Sequence, residues 1–206
     1  MTGHRPHDLL LLAAGTADAR AATTPAWVRA SLRETPWVVV RRGHAPPGHV
    51  AVGVRGIGRS ERFPWSVPYD EIDAATTPED LATVDATDGT RPALGALAGV
   101  RDLFQLLALP WGPTGSVGFE LATGRATVTT DSDLDLVVRV DDPSASTFDR
   151  LVQLHAAFAL VPVRVDCQVE LPRGAVALAE LVSARAPVLV RTHGGPSLAG
   201  VSDLFR

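Results

Sequence analysis

The chain of 206 residues contains no lysine: all 19 of its basic residues are arginine, set against 23 acidic ones for a formal charge of -4. That absence excludes Schiff-base chemistry, a phosphate-loop lysine and a lysine general base, because there is no amine to be desolvated into a nucleophile. Cysteine is nearly missing as well, with Cys167 standing alone. A single thiol rules out multi-cysteine zinc sites and an internal disulfide framework, and points to a reducing compartment. Basic charge is not in excess, which argues against a dedicated duplex-DNA binder with its stripe of phosphate contacts. Long apolar runs are lacking too. None exceeds residues 9–14, far short of the roughly 18 residues of a membrane-spanning helix. Pro6 and Asp8 stand directly before that run, so it reads as a buried strand rather than a secretory leader, and the expected location is cytoplasmic.

What is present suffices for a substantial core, with 46% of residues apolar. In the first part of the chain, 25–34 reads as a helix and 37–42 and 49–55 as strands, with 59–67 a third strand interrupted by Pro64. Thr77-Pro78-Glu79-Asp80 is a helix start, with a threonine cap, proline at the first helical position and acids in the first turn. The Asp-, Thr- and Gly-rich segment 85–91 is the predicted boundary, giving domains 1–87 and 88–206. Beyond it, Pro92 opens a helix that Pro110 stops. Segments 117–121 and 126–130 read as strands around a turn at Gly124, 134–140 as a strongly apolar strand, 146–160 as a helix and 163–171 as a strand. Segment 174–184 reads as a helix and 187–191 as a last strand. The fold class is α+β, in two domains.

The chemistry concentrates in 111–140. Asp133 and Asp135 flank Leu134 at the start of a strand, so period-two alternation points both carboxylates to one face while the leucines enter the core. Paired carboxylates suit a hard divalent cation such as Mg2+ or Mn2+, which takes few protein ligands and keeps positions for phosphate oxygens. Upstream, Gly115 and Ser116 can offer backbone N–H groups and a hydroxyl to a polyphosphate. A third carboxylate, as metal ligand or as base, is expected from the alternating segment 165–170, with Asp166 the first candidate and Glu170 the fallback. Arg55, Arg59 and Arg62 are candidates for a cationic wall against substrate phosphates. Arg191 and the glycine-rich turn after it could form a second anion contact. No histidine has a partner at metal-ligand spacing, Thr114 breaks a Gly-x-Ser-x-Gly elbow, and Cys167, alternating with Asp166, reads as a core residue.

Gly-Ser followed downstream by Asp-x-Asp resembles the nucleotidyltransferase superfamily with the DNA polymerase β-like catalytic fold. The resemblance implies a mixed sheet with helices on one face in the second domain, the first serving substrate or carrier binding. Longer wording narrows it: RPHDLLLL, VGVRGIGRSERF, TPEDL, WGPTGSVGFELATG, TTDSDLDLVVR, VDCQVELPRGAVALAE and VLVRTHGGP, in that order, are similar to the phosphoribosyl-dephospho-CoA transferase family of malonate decarboxylase systems across nearly the whole chain. That resemblance implies a metal-dependent transfer from triphosphoribosyl-dephospho-CoA to a serine of the apo acyl-carrier subunit, with diphosphate released. Asp133, Asp135 and Asp166 would be metal ligands and catalytic groups, and Gly115, Ser116, Arg55, Arg59 and Arg62 substrate contacts. The alternatives are another nucleotidyltransferase moving AMP, or a non-catalytic carrier-binding module; the intact Asp-x-Asp argues against the second. Neither nucleic acid nor membrane is expected as a partner.

Overall fold

The structure, a computed structural model, describes residues 3–16, 24–56, 58, 61–86 and 90–205. The chain divides into two compact units, Met1–Thr77 and Pro78–Arg206.

Unit 1 holds β1 (Leu9–Leu12), α1 (Ala26–Glu34), β2 (Trp37–Val40), β3 (His49–Arg55), β4 (Arg62–Pro68), a 3-10 turn (Tyr69–Glu71) and β5 (Ile72–Thr76). These strands form one antiparallel sheet in the order β4-β3-β2-β1-β5. Its core gathers Leu10, Leu12, Val38, Val40, Val52 and Val54, onto which α1 lays Val28 and Leu32, one turn apart on the same helix face. Pro64 sits inside β4 opposite Gly53 and is tolerated because β4 is an edge strand, where a missing N–H deprives no neighbour of a ladder bond. β5 was not expected. Its Ile-Asp-Ala-Ala-Thr sequence has little intrinsic strand preference, and it is recruited as the antiparallel partner of the second edge of the leucine-rich β1.

Unit 2 runs α2 (Pro78–Leu81), α3 (Pro92–Gly95), α4 (Leu97–Leu107), β6 (Trp111–Pro113), α5 (Gly115–Thr123), β7 (Leu134–Arg139), α6 (Ala145–Phe158), β8 (Val165–Leu171), β9 (Gly174–Ala177), α7 (Leu178–Ser183), β10 (Val188–Thr192), β11 (Gly195–Ala199) and α8 (Val201–Leu204). Its sheet has the order β11-β10-β9-β8-β7-β6, with β7 and β8 parallel and the other neighbours antiparallel. The connection between the parallel strands is α6, started by Ser144, whose side chain accepts from the Thr147 N–H. In the core, Phe104 stacks on Trp111 with ring centroids 4.3 Å apart and meets Phe158 at 6.2 Å. Cys167 is buried there as expected, and burial, reinforced by the neighbouring Asp166 charge, pushes its thiol pKa well up.

Several expectations change. Residues 117–121 are helical, within α5, and 126–130 form no strand. The Val-x-Phe-x-Leu alternation there imitates a strand, but Gly118 lets the segment wind tightly beside β6, where a side chain would meet the Pro113 carbonyl. The Pro92 helix breaks at Ala96 into α3 and α4, and 174–184 is β9 followed by α7. β6, β11 and α8 were unforeseen. The division at Thr77/Pro78 precedes the expected one at 87/88, because α2 is fastened to the second sheet. The bare backbone of Gly112 in β6 lies against the Pro78 carbonyl, and Glu79 pairs with the buried Arg139 of β7 at 3.2 Å. No helix among the described residues is long and apolar enough to cross a membrane.

Gly112 is therefore a sensitive position. Gly112→Ala would drive a methyl into the Pro78 carbonyl, and urea denaturation should show a loss at the upper end of the ~1–3 kcal/mol typical of overpacking.

Candidate active site

The parallel ladder sets Leu134 opposite Val165, Asp135 opposite Asp166 and Leu136 opposite Cys167. Leu134, Leu136 and Cys167 belong to the core, so alternation turns Asp135 and Asp166 together onto the other face. Asp133 lies one residue ahead of β7, at the point where the Leu134 N–H donates to the Arg164 carbonyl at 2.9 Å. Arg164 itself bridges the carboxylates, with Nη1 3.7 Å from Asp133 and Nη2 4.0 Å from Asp166. These pairs are open to solvent, with side-chain exposures of 73% for Arg164, 41% for Asp133 and 54% for Asp166. Each is worth only ~0–1 kcal/mol, so the guanidinium is readily displaced.

The Gly-Ser turn is tied to the same place. The Thr114 N–H donates to the Asp135 carbonyl at 2.8 Å, and Gly115 starts α5 with φ of +58°. A side chain at 115 would strike the Asp135 carboxylate, so glycine is required both by its left-handed backbone and by the close approach of an acid. Ser116 is half-buried, and its carbonyl accepts from the Thr127 hydroxyl at 2.9 Å. No side chain caps the start of α5. Glu120 on the same helix accepts from the N–H groups of Thr127 and Val128 at 2.7 and 2.8 Å and pairs with Arg91, fixing the loop that leads back to β7.

Five residues singled out in the sequence thus share one end of the β7–β8 pair: Gly115, Ser116, Asp133, Asp135 and Asp166. Glu170 does not join them. It lies four residues further along β8, buried and opposite Arg139, about 13 Å away at ordinary strand rise. Arg55 and Arg62 belong to unit 1, where they face each other directly across β3 and β4. The Arg55 carbonyl accepts from the Ser31 hydroxyl at 2.6 Å, and Arg62 donates to the Glu61 carbonyl at 3.0 Å, with partial burial pushing its pKa down. Arg59 lies outside the described residues. Arg191 is in β10, whose hairpin turn is closed by the Thr192 hydroxyl donating to the Gly195 carbonyl at 2.7 Å.

Sequence reasoning missed Arg164. The signal was available, since it stands two residues before Asp166 in an alternating segment and so faces the same way. Among the described residues no group of three His, Cys, Asp or Glu side chains stands ready to hold a metal ion. The donor set nevertheless suits a hard cation: Asp135 and Asp166 stand in strand register, and Asp133 and Asp166 already share a positive guanidinium.

The family model described as phosphoribosyl-dephospho-CoA transferase MdcG C-terminal domain matches residues 80–201, and that for the MdcG N-terminal domain matches 5–78. A phosphoribosyl-dephospho-CoA transferase of Pseudomonas aeruginosa PAO1 is 41% identical over 198 residues, covering 95% of this chain and 92% of that protein. Proteins of the same name from Pseudomonas putida and Azotobacter vinelandii are 40% and 38% identical, covering 98% and 95% of this chain and 96% and 92% of their own lengths. No solved structure matches. The α+β fold and these relatives define a transferase. The chain belongs to the phosphoribosyl-dephospho-CoA transferase family, in both its N- and C-terminal domains. The two matches meet at residues 78–80, beside the division between the units.

Two variants probe the site. Gly115→Ala should cost ~1–2 kcal/mol in thermal or urea unfolding for the left-handed backbone alone, while displacing the Asp135 carboxylate and removing activity. Arg164→Gln removes the cation shared by two carboxylates, and titration calorimetry should show Mg2+ binding severalfold tighter than in the parent.

Proposed function

We propose that this protein transfers the phosphoribosyl-dephospho-CoA group from triphosphoribosyl-dephospho-CoA to a serine of the apo acyl-carrier subunit of malonate decarboxylase, in the cytoplasm, with release of diphosphate. The observation that carries the reading is the in-register pair Asp135 and Asp166, with the Gly115 turn against Asp135. Gly-Ser leading to Asp-x-Asp at the head of a mixed sheet supports assigning unit 2 to the DNA polymerase β-like nucleotidyltransferase type. The names of the relatives support the donor, and the family supports a carrier as acceptor.

Asp133, Asp135 and Asp166 would hold Mg2+ or Mn2+. When bound, the ion supplies neutralisation of charge on the phosphate oxygens. The remaining work falls to the chain. Backbone N–H groups at Gly115 and Ser116, with the Ser116 hydroxyl, hold the phosphates in line. Asp166 takes the proton as the carrier serine oxygen bonds to the α-phosphorus and the bond to the β-phosphate oxygen breaks. With no lysine available, Arg164, released from the carboxylates, supplies an organic cation for the donor's phosphates within unit 2.

Mass spectrometry of the apo carrier incubated with the protein, Mg2+ and donor should show a mass gain equal to the prosthetic group, absent when ATP replaces the donor. Asp135→Asn should slow this about 100-fold or more, the usual order for removing one group that stabilises transition-state charge. A carrier left unmodified under those conditions, or modified as well with ATP, would overturn the reading.

A further inference from the structure

β9 covers only part of its neighbour. Its pairing with β8 begins at Gln168 opposite Ala177, after which the chain turns into α7, so among the described residues Val165 to Cys167 have no strand beside them on that flank. The Leu134 N–H bonds to the Arg164 carbonyl, which turns the groups of Arg164 toward β7 and, by alternation, the N–H and C=O of Val165 toward the uncovered flank. A cavity of about 280 Å3 opens there. Its floor is apolar, with Phe158, Cys167 and Leu178 buried, and its rim is polar, with His155, Arg164 and Asp166. Arg164 and Asp166 are the same two residues that border the carboxylate site.

We propose that this cavity is the subsite for the purine ring of the donor. The inference rests on the transferase reading above and adds which part of the donor is recognised, and where. An apolar floor, a few convergent polar groups and a volume just below the range of whole drug-sized ligands describe a slot for one ring system, not for the entire donor. The donor's own connectivity selects the ring. From the α-phosphorus the covalent path runs through one ribose to a second ribose that bears adenine, whereas the pantetheine arm lies beyond that second ribose and a further diphosphate. The first flat apolar group to be met from the carboxylate site is therefore the purine. Phe158 and Leu178 offer it a hydrophobic seat, the His155 imidazole offers a planar face at the rim, and Val165 offers a donor and an acceptor to its polar edge.

The test fills the cavity from its rim. Ala179 lines it from an exposed position on α7, so Ala179→Trp can block the slot without disturbing the core. Ala159, exposed at the end of α6, gives an independent block as Ala159→Trp. Calorimetry with dephospho-CoA should show the affinity reduced about tenfold or more in a variant whose melting curve matches the parent, the order expected for losing a base-stacking site. In the transfer assay the KM for the donor should rise by a similar factor, with kcat at saturating donor and the KM for the carrier unchanged. Parental dephospho-CoA affinity in both folded variants, or a rise confined to the carrier KM, would overturn the proposal. A parent protein that transfers normally in that case shows the transferase reading intact and the subsite alone wrong; a parent that fails to transfer overturns the reading itself.

Discussion

Parallel pairing of β7 with β8 is the constraint on which the rest of unit 2 depends. A single register sets the core on one face and the acids on the other: Leu134, Leu136, Cys167 and Val169 inward, Asp135 and Asp166 outward. A slip of one residue would send carboxylates into the core and leucines into water, so the site has no separate freedom to misalign. Magnitudes show which effect governs. Each fully buried leucine or valine contributes ~1.5–3 kcal/mol, against ~0–1 kcal/mol for an exposed Arg164 pair. The carboxylates are held where they are by hydrophobic packing beneath them, not by their own attractions. That leaves their local charge free to be rearranged when a ligand arrives.

Two arginines on this sheet illustrate opposite uses of one side chain. Arg139 is buried at the end of β7 and paired with the partly exposed Glu79 of α2, so its charge is held out of water beside a partner from another element. It is a fixed fastening. Arg164, open to solvent and shared between two acids, can leave either of them at little cost. In a chain without lysine, guanidinium charge serves both for structure and for exchangeable neutralisation.

Much of this was legible in the residues, and the failures have causes. Strands with clean alternation or a dense β-branched run, such as β3, β7 and β8, fell where expected, because burial and local preference agree there. α5 was misread as a strand because Val117, Phe119 and Leu121 alternate; what decides its conformation is a left-handed Gly115 and a glycine at 118 that allows close packing, both properties of the tertiary setting. β5 and β11 carry weak patterns and exist because a neighbouring edge needs a partner. At the site, the Asp-x-Asp pair and Asp166 could be read from alternation. That β7 and β8 are neighbours could not, because the pairing joins residues some 30 apart. Glu170 shows the same limit from the other side: it shares a face with Asp166 yet lies too far along the strand to act with it.

The early end of β9 has one more consequence. A sheet flank left bare over many residues is a template for foreign strands and a route to aggregation. Here the bare stretch covers only Val165 to Cys167 before α7 closes over the flank, too short for another chain to add a stable ladder. Small molecules face no such minimum. By trimming one strand and following it directly with a helix, the fold keeps the bare stretch shorter than a pairing strand requires.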